Sequence, residues 1–500
     1  MKHTHTKTTK SALPTLYIIL TGGTVGAQKH SPHEATRYAP SENSLKLLVS
    51  SLTASYRNLE TKYKIEIIQL EPIDSKDISL AYISNIYQTI FNLTKKNKIK
   101  LNDCIAIAHG TDNIEASITA MSLSAGLKEL KQKNAIGFWG AMHTPDSENP
   151  DGPTNFKNLV KYFLSAHKKA GIFASFSGQI QNALFIRKKH ARNIDTFKIP
   201  KDIFSKIKNN LLSSNTQFTH LHMPKQDEFA QIEIVHPYMQ NSEIESIKQG
   251  IEKGEIHGLI LENTADITNN QFSYNENIQE LLKFAYKNNI CITQTHTEYA
   301  YYAKHKTDHK QFLGIPILNS HGLSTEKVHI IMAMGLAGVN AEIIKSPKDL
   351  ENIYIERTQN IVLPDMHIPK TRIDIKNTAK KQHNIKVIRN HINIYPQMLN
   401  VILDDINQGK IQGLIIEGPG NGTYNQSLQI LIDSAGMQEK KIPVIVSSMC
   451  SGYINTVENE DAVGSGGINT EDCIKLLNEA INQGLDRKET HELFEKYKIY

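Results

Sequence analysis

Short apolar runs of strand length alternate with longer amphipathic stretches through the N-terminal part of the chain, and this alternation restricts the fold most. Leu16–Leu20, Ile65–Leu70, Cys104–Ala108, Ala135–Trp139 and Gly171–Phe176 read as buried strands, with helical patterns at Ser44–Tyr56, Ile114–Lys131 and Phe156–Lys169 between them. Strands without a polar face need cover on both sides, so the pattern predicts an α/β domain built on a doubly wound, mostly parallel sheet. Such sheets hold their ligands beyond the C-terminal ends of the strands.

A second pattern lies further along. Gly254-Glu255-Ile256-His257-Gly258-Leu259-Ile260-Leu261-Glu262 recurs as Gly409-Lys410-Ile411-Gln412-Gly413-Leu414-Ile415-Ile416-Glu417. Each copy follows a strand-like run and a proline (Val235-His236-Pro237; Ile394-Tyr395-Pro396) and precedes another apolar run, Ile290–Thr293 or Val444–Ser447. Each then reaches a helix start, Ser324-Thr325-Glu326 or Asn469-Thr470-Glu471, with capping residues in place. Matching segments in the same order indicate a duplicated α/β module. The 500 residues exceed one ordinary core. They divide into an N-terminal domain over 12–205 and two smaller repeated modules over 230–345 and 385–490. The polar stretches 206–229 and 346–384 read as linkers with room for a helix.

Composition excludes several classes. The 56 basic and 51 acidic residues leave a net charge of only +5, without the concentrated basic patch that nucleic acid requires. Arg187–His190 is basic but short. No apolar run approaches the ~20 residues of a membrane span. Leu16–Leu20 runs directly into Thr21-Gly22-Gly23-Thr24 without a cleavage site, so it reads as a first strand and not as a signal-peptide core. Cys104, Cys291, Cys450 and Cys473 lie far apart with neither CxxC nor zinc spacing, which favours a reducing, cytoplasmic compartment. His3, His5, His296, His305 and His309 form no metal-ligand pattern, and no metal or organic cofactor is expected.

Two polar motifs fall at predicted strand ends. Thr21-Gly22-Gly23-Thr24 ends the first strand, where glycines let the backbone turn sharply and approach a ligand. His109-Gly110-Thr111-Asp112 follows Cys104–Ala108 and opens a helical pattern. Thr111 and Asp112 therefore sit at a helix N-terminus, where they either cap the helix or face a ligand. Alone, each motif is weak: the first is most simply a turn, the second a capping pair.

Together they resemble the L-asparaginase family, which carries a TGGT motif on its first strand and an HGTD motif later. Glu71-Pro72-Ile73-Asp74-Ser75-Lys76-Asp77 resembles the family's substrate-carboxylate loop, and Gly140-Ala141-Met142 and Asp151-Gly152-Pro153-Thr154-Asn155 resemble further family signatures. Each repeat resembles the family's small C-terminal domain. The resemblance implies an amidohydrolase that converts L-asparagine to L-aspartate and ammonia. It assigns Thr24 as nucleophile, Tyr38 on the loop after it, and Thr111, Asp112 and Lys188 as the second polar group, with Lys189 the fallback for Lys188. Asp74, Ser75, Lys76, Gly110, Asp112 and Asn421 would contact the substrate, with Asp112 taking its ammonium and Ser75 its carboxylate. The resemblance implies a small-molecule amide partner, asparagine before glutamine, and a homo-oligomer, because a neighbouring subunit's small domain closes the family's active site.

The match breaks in two places. Lys76 stands where the family usually has Ser or Gln; it either strengthens carboxylate binding, fills the pocket or faces solvent. The second module keeps a glycine loop, Gly418-Pro419-Gly420-Asn421-Gly422-Thr423, whereas the first reads Asn263-Thr264-Ala265-Asp266 there. This contrast suggests that the first module is scaffold and that the second offers Asn421 to a site in the same chain or a neighbouring one. Removal of residues beyond ~375 is then expected to abolish activity and leave a folded remainder. Two other readings remain. One is an ammonia-supplying amidase subunit acting with a transferase, although members of that kind carry an extra N-terminal domain. The other is a non-catalytic amino-acid binder, which would be free to lose Thr24, Thr111, Asp112 and Lys188.

Overall fold

The computed structural model describes residues 13–24, 27–29, 38–40, 59–182, 186–190, 193–198, 219–263, 275–296, 314–320, 323–358, 383–420, 422–438, 442–449 and 462–497. The expected helix Ser44–Tyr56 lies outside them. In the N-terminal part the strands are β1 (Thr15–Gly22), β2 (Ala27–Lys29), β3 (Tyr38–Pro40), β4 (Lys64–Ile73), β5 (Cys104–Ala108), β6 (Ala135–Trp139), β7 (Gly171–Phe176) and β8 (Gln179–Asn182). The helices are α1 (Leu80–Lys95), α2 (Ile114–Leu123), α3 (Lys128–Lys133) and α4 (Gly152–Leu164). Six strands form one sheet in the order β4-β1-β5-β6-β7-β8, parallel except for β8, while β2 and β3 pair as a separate antiparallel ribbon.

The strict two-residue alternation of the strands accounts for both covered faces. Tyr17, Ile19, Ile105, Ile107, Ile136 and Phe138 point into one core with α1 and α2. Leu16, Ile18, Leu20, Cys104, Ala106 and Trp139 point into the other with α4. The chain leaves β1 for β4 on one side and returns to β5 on the other. The ends of β1 and β5 therefore flank the point where strand order reverses, the position at which open α/β sheets bind ligands.

The helix expected over Ile114–Lys131 is interrupted. Ser124 is extended, and Leu221 inserts beside it: the Leu221 N–H donates to Leu123 O at 3.0 Å and the Ala125 N–H to Leu221 O at 2.8 Å. Lys131 Nζ then caps the freed carbonyls of Ser122 and Ser124 at 2.6 and 3.0 Å. A tertiary contact thus outweighs a continuous helical pattern.

Two four-stranded parallel sheets follow. The first contains β9 (Ile232–Val235), β10 (Gly258–Asn263), β11 (Cys291–His296) and β12 (Leu318–Asn319), with α5 (Asn241–Glu252), α6 (Glu276–Lys287) and α7 (Thr325–Gly335). The helix α8 (Pro347–Thr358) occupies the start of the stretch expected as a linker, and its Leu350, Ile353 and Tyr354 are fully buried. The second sheet contains β13 (Ile385–Arg389), β14 (Gly413–Gly418), β15 (Val444–Ser448) and β16 (Val463–Gly464), with α9 (Pro396–Asn407), α10 (Gln426–Met437), α11 (Thr470–Gln483) and α12 (Arg487–Lys496). Both capping expectations hold in detail: Ser324 Oγ accepts from the Lys327 N–H, and Asn469 Oδ1 from the Asp472 N–H.

The middle module is wedged between its neighbours. Its α7 packs on α2 in the N-terminal core. Its other face, through Val235, Ile244, Ile247, Leu259 and Leu261, shares one core with Ile394, Met398, Ile402, Leu414 and Ile416 of the last module. Cutting the chain after ~375 would open that shared core to water, so the tertiary packing argues against a cleanly folded remainder. Polar links seal the same interface. Lys386 Nζ meets Glu243 Oε2 at 2.9 Å with both side chains essentially excluded from solvent (0% and 1% exposed), and Arg389 grips Glu262 of one module and Glu417 of the other.

Burial raises the Glu243 carboxyl above its usual range in spite of Lys386, so desolvation outweighs the pairing there. Lys386→Met should therefore strand a buried carboxylate and lower the unfolding free energy by about 3–5 kcal/mol, whereas Lys386→Met with Glu243→Leu should recover most of it. Guanidinium unfolding of both variants measures this. Equal losses in the single and double variants would show that the pair does not act as a unit.

Candidate active site

The end of β1 is built for close backbone approach. Thr21 Oγ1 donates to Ala108 O at 2.7 Å and ties the end of β1 to that of β5. Gly22 and Gly23 have φ of +108° and +79°, a region that side chains strain to enter. A Cβ on Gly22 would lie 2.4 Å from Ile73 O, and one on Gly23 would lie 2.5 Å from Gly110 Cα. The Gly23 N–H donates to Ile73 O at 3.0 Å. Thr24 follows directly and is half-buried. The residue before Thr24 therefore rests on the residue before Thr111, which draws the two motifs into one crevice.

The turn after β4 joins them. A Cβ on Gly110 would meet Ser75 Oγ at 2.5 Å. Ser75 is buried; its Oγ accepts from the Asp112 N–H at 3.2 Å and its carbonyl from Asn113 Nδ2 at 2.7 Å. Accepting in this way leaves the Ser75 hydroxyl proton for another acceptor. Asp74 caps the short 3-10 turn Ser75–Asp77, taking the Lys76 N–H. Lys76 Nζ lies 4.0 Å from Asp74 Oδ2 with its side chain only 15% exposed, so it folds along this loop and does not extend into solvent.

Thr111 and Asp112 do not cap α2; the cap residue Asn113 makes no side-chain capping bond and turns to Ser75. Lys188 Nζ lies 2.8 Å from Thr111 Oγ1 and 2.6 Å from Asp112 Oδ1, in an ion pair whose side chains are 7% and 10% exposed. Lys189 points elsewhere, to Lys198 O, and burial pushes its ammonium down to about 8. His109 lies beneath the motif, fully buried, with Nδ1 2.6 Å from Gly110 O and Nε2 2.8 Å from Ser117 Oγ.

The last module covers this group within the same chain. Thr423 Oγ1 donates to Asp112 Oδ2 at 2.7 Å. A Cβ on Gly420, at φ +55°, would lie 2.5 Å from Asp112 Oδ1 and 2.7 Å from Lys188 Nζ. Ser448 Oγ on Gly420 O, Met449 N on Gly418 O and Asn390 Nδ2 on Thr423 O hold the loop. Asn421 itself and the side chain of Tyr38 lie outside the described residues, as do Thr264–Asp266 of the first module. Thr423 was not singled out in the sequence; the signal available was a hydroxyl closing a glycine loop just before a helix. Among the described residues no group of His, Cys, Asp and Glu has metal-binding geometry, and no helix is long and apolar enough to cross a membrane.

Comparison with known proteins agrees with this layout. Residues 15–217 match the family model "Asparaginase, N-terminal", and residues 384–494 match "Glutaminase/Asparaginase C-terminal domain". The chain is 24% identical over 242 residues to L-asparaginase 2 of Bacillus subtilis, covering 46% of this chain and 61% of that protein. It is 24% identical over 183 residues to L-asparaginase of Bacillus licheniformis, covering 36% and 52%. The matches thus span between about half and three fifths of these relatives' length. The fold is similar to a crystal structure of a probable cytoplasmic L-asparaginase from Campylobacter jejuni, with a TM-score of 0.54, 18% identity, and coverage of 68% of this chain and 99% of that one.

Burial lowers the His109 imidazole from 6.5 to about 4. The unfolded chain therefore binds a proton that the folded chain refuses between those values, and stability falls as pH falls through that window. The full effect is about 3 kcal/mol. Urea unfolding between pH 7 and 4 should show this slope added to those of His236 and His329, which burial pushes down to about 3, and His109→Gln should reduce the total by about a third; an unchanged slope in the variant would exclude His109 as a contributor.

Proposed function

We propose that this chain, which belongs to the L-asparaginase family, is an amidohydrolase that cleaves L-asparagine to L-aspartate and ammonia through the Thr24 hydroxyl. The observation that carries the reading is the contact of Lys188 with both Thr111 and Asp112, beside the Gly23–Gly110 approach that brings Thr24 to the same crevice. A threonine hydroxyl attacks only if its proton is withdrawn. Two routes are available in this reading: Tyr38 accepts the proton as a phenolate, or Lys188 first gives up its own proton and then accepts this one through Thr111 as a free amine. Attack on the side-chain carbonyl forms an oxyanion held by backbone N–H groups near Thr111, a donor type worth ~3 kcal/mol. The amide nitrogen takes a proton and leaves as ammonia. Water then hydrolyses the acyl-threonine ester, returning the proton to Thr24.

Asp112 takes the substrate's ammonium, and Ser75 with neighbouring amides takes its carboxylate. Asp74, Lys76 and Gly110 shape that end of the pocket. Thr423 closes it, so the last module does for its own chain what a neighbouring subunit does elsewhere in the family. Its likeness to the middle module reads as a duplication in which only the last copy kept the loop. A homo-oligomer is then not required to complete the site. A cytoplasmic location fits the buried free thiols Cys104, Cys291 and Cys473.

Ammonia release from asparagine, glutamine and a small amide panel tests the activity. Thr24→Ala and Thr111→Val should each lower kcat by about a thousandfold or more without changing the circular dichroism spectrum. A folded protein that binds asparagine but releases no ammonia would be a binder, and the hydrolase reading would fall. Thr423→Val should raise KM about tenfold, while specific activity should stay constant on dilution over about three decades. Loss of activity on dilution would assign closure of the site to a neighbouring subunit.

A further inference from the structure

Behind Lys188 lies a second buried layer of charge that the proposed reaction does not use. Ile186, Arg187 and Lys188 belong to no helix or strand, so regular backbone pairing does not set their course. Side chains do so at both ends. Glu115, in the first turn of α2, accepts the Lys188 N–H through Oε1 at 2.8 Å. Lys327, in the first turn of α7, donates to Ile186 O at 2.7 Å. The other Glu115 oxygen accepts from Ser324 Oγ at 2.8 Å and lies 3.9 Å from Lys327 Nζ. Glu115, Ser324 and Lys327 are all buried, and Glu326 and Arg187 lie close enough to perturb the same cluster.

Stability alone gives little reason for such a layer. Ionic groups buried between two helices are often replaceable by apolar residues without loss. The geometry at Lys188 gives a stronger one, because a displacement of about 1 Å at a reacting group costs on the order of a hundredfold in rate. We infer that Ser324 and Lys327 of the middle module, through Glu115, are positioning residues that hold the Lys188 ammonium against Thr111 and Asp112. The middle module, which lacks the glycine loop, thus acts on the site from behind while the last module covers it. The inference rests on the catalytic reading of Lys188.

Lys327→Met tests it in the full chain, with Ser324→Ala as the milder variant should Lys327→Met fail to fold. Lys131→Met is the control: it removes a half-buried lysine that caps carbonyls in the N-terminal domain, at the far end of α2 from the site. Lys327→Met should lower kcat for asparagine about tenfold to a hundredfold with KM within about twofold. It should also speed hydrogen exchange of the peptide covering residues 186–190. Ser324→Ala should show both effects at about threefold, whereas Lys131→Met should lower the melting temperature and leave kcat and that exchange unchanged. Wild-type kcat and exchange in the folded 324 and 327 variants would overturn the inference, as would a Lys131→Met variant that reproduces their pattern. If the wild-type chain released no ammonia from any amide, the proposed function would fail, and the exchange measurement would still decide whether Lys327 positions Lys188.

Discussion

Lys188 and Asp112 form an ion pair in a crevice almost closed to solvent, and neither charge is tenable there without the other. Their meeting requires four separate parts of the chain. The end of β5 and the start of α2 carry Asp112, an irregular segment after β8 carries Lys188, and the turn after β4 braces the Asp112 amide through Ser75. The loop after β14 adds Thr423 to the second carboxylate oxygen. Any shift in one part lengthens a contact at the pair, so the placement of two sheets converges on one short distance.

Sheet order explains why the convergence occurs at that point. The reversal between β1 and β5 leaves a gap beyond their ends, and glycine lets three loops share it. Gly23, Gly110 and Ser75 stack so closely that a single added Cβ would collide at either glycine. The approach of the loops thus rests on the two glycine backbones and the Ser75 side chain.

The two small modules show how related patterns take different tasks. Glu262 and Glu417 occupy matching positions at the ends of β10 and β14, each accepts from the first threonine of a helix, Thr325 or Thr470, and both meet Arg389. From this shared centre the modules diverge. The last sends Gly420 and Thr423 over Asp112, whereas the middle one sends the start of α7 under Lys188 through Ser324 and Lys327. Their common apolar core keeps the two approaches in fixed relation.

Much of this was legible in the residues themselves. The strands Cys104–Ala108, Ala135–Trp139 and Gly171–Phe176 stand where their apolar runs begin and end, because a strand covered on both faces takes a polar residue only when it is satisfied, as Ser175 is by Asn155 O. Thr24, Thr111 and Asp112 were nameable because their motifs pair glycines with polar groups at strand ends, a local signal, whereas Ser75 and Lys188 were named only through the resemblance to the asparaginase family. What local pattern could not supply was contact over long separations. Leu221 breaks the helix expected over Ile114–Lys131, Thr423 reaches Asp112 across 311 positions, and Ser324 reaches Glu115 across 209. The sequence by itself determined the strands, the helix starts and the polar groups, because periodicity and capping are short-range. Only the tertiary structure decided that the last module covers this group within its own chain and that the middle one packs behind it, because that depends on how three cores pack together.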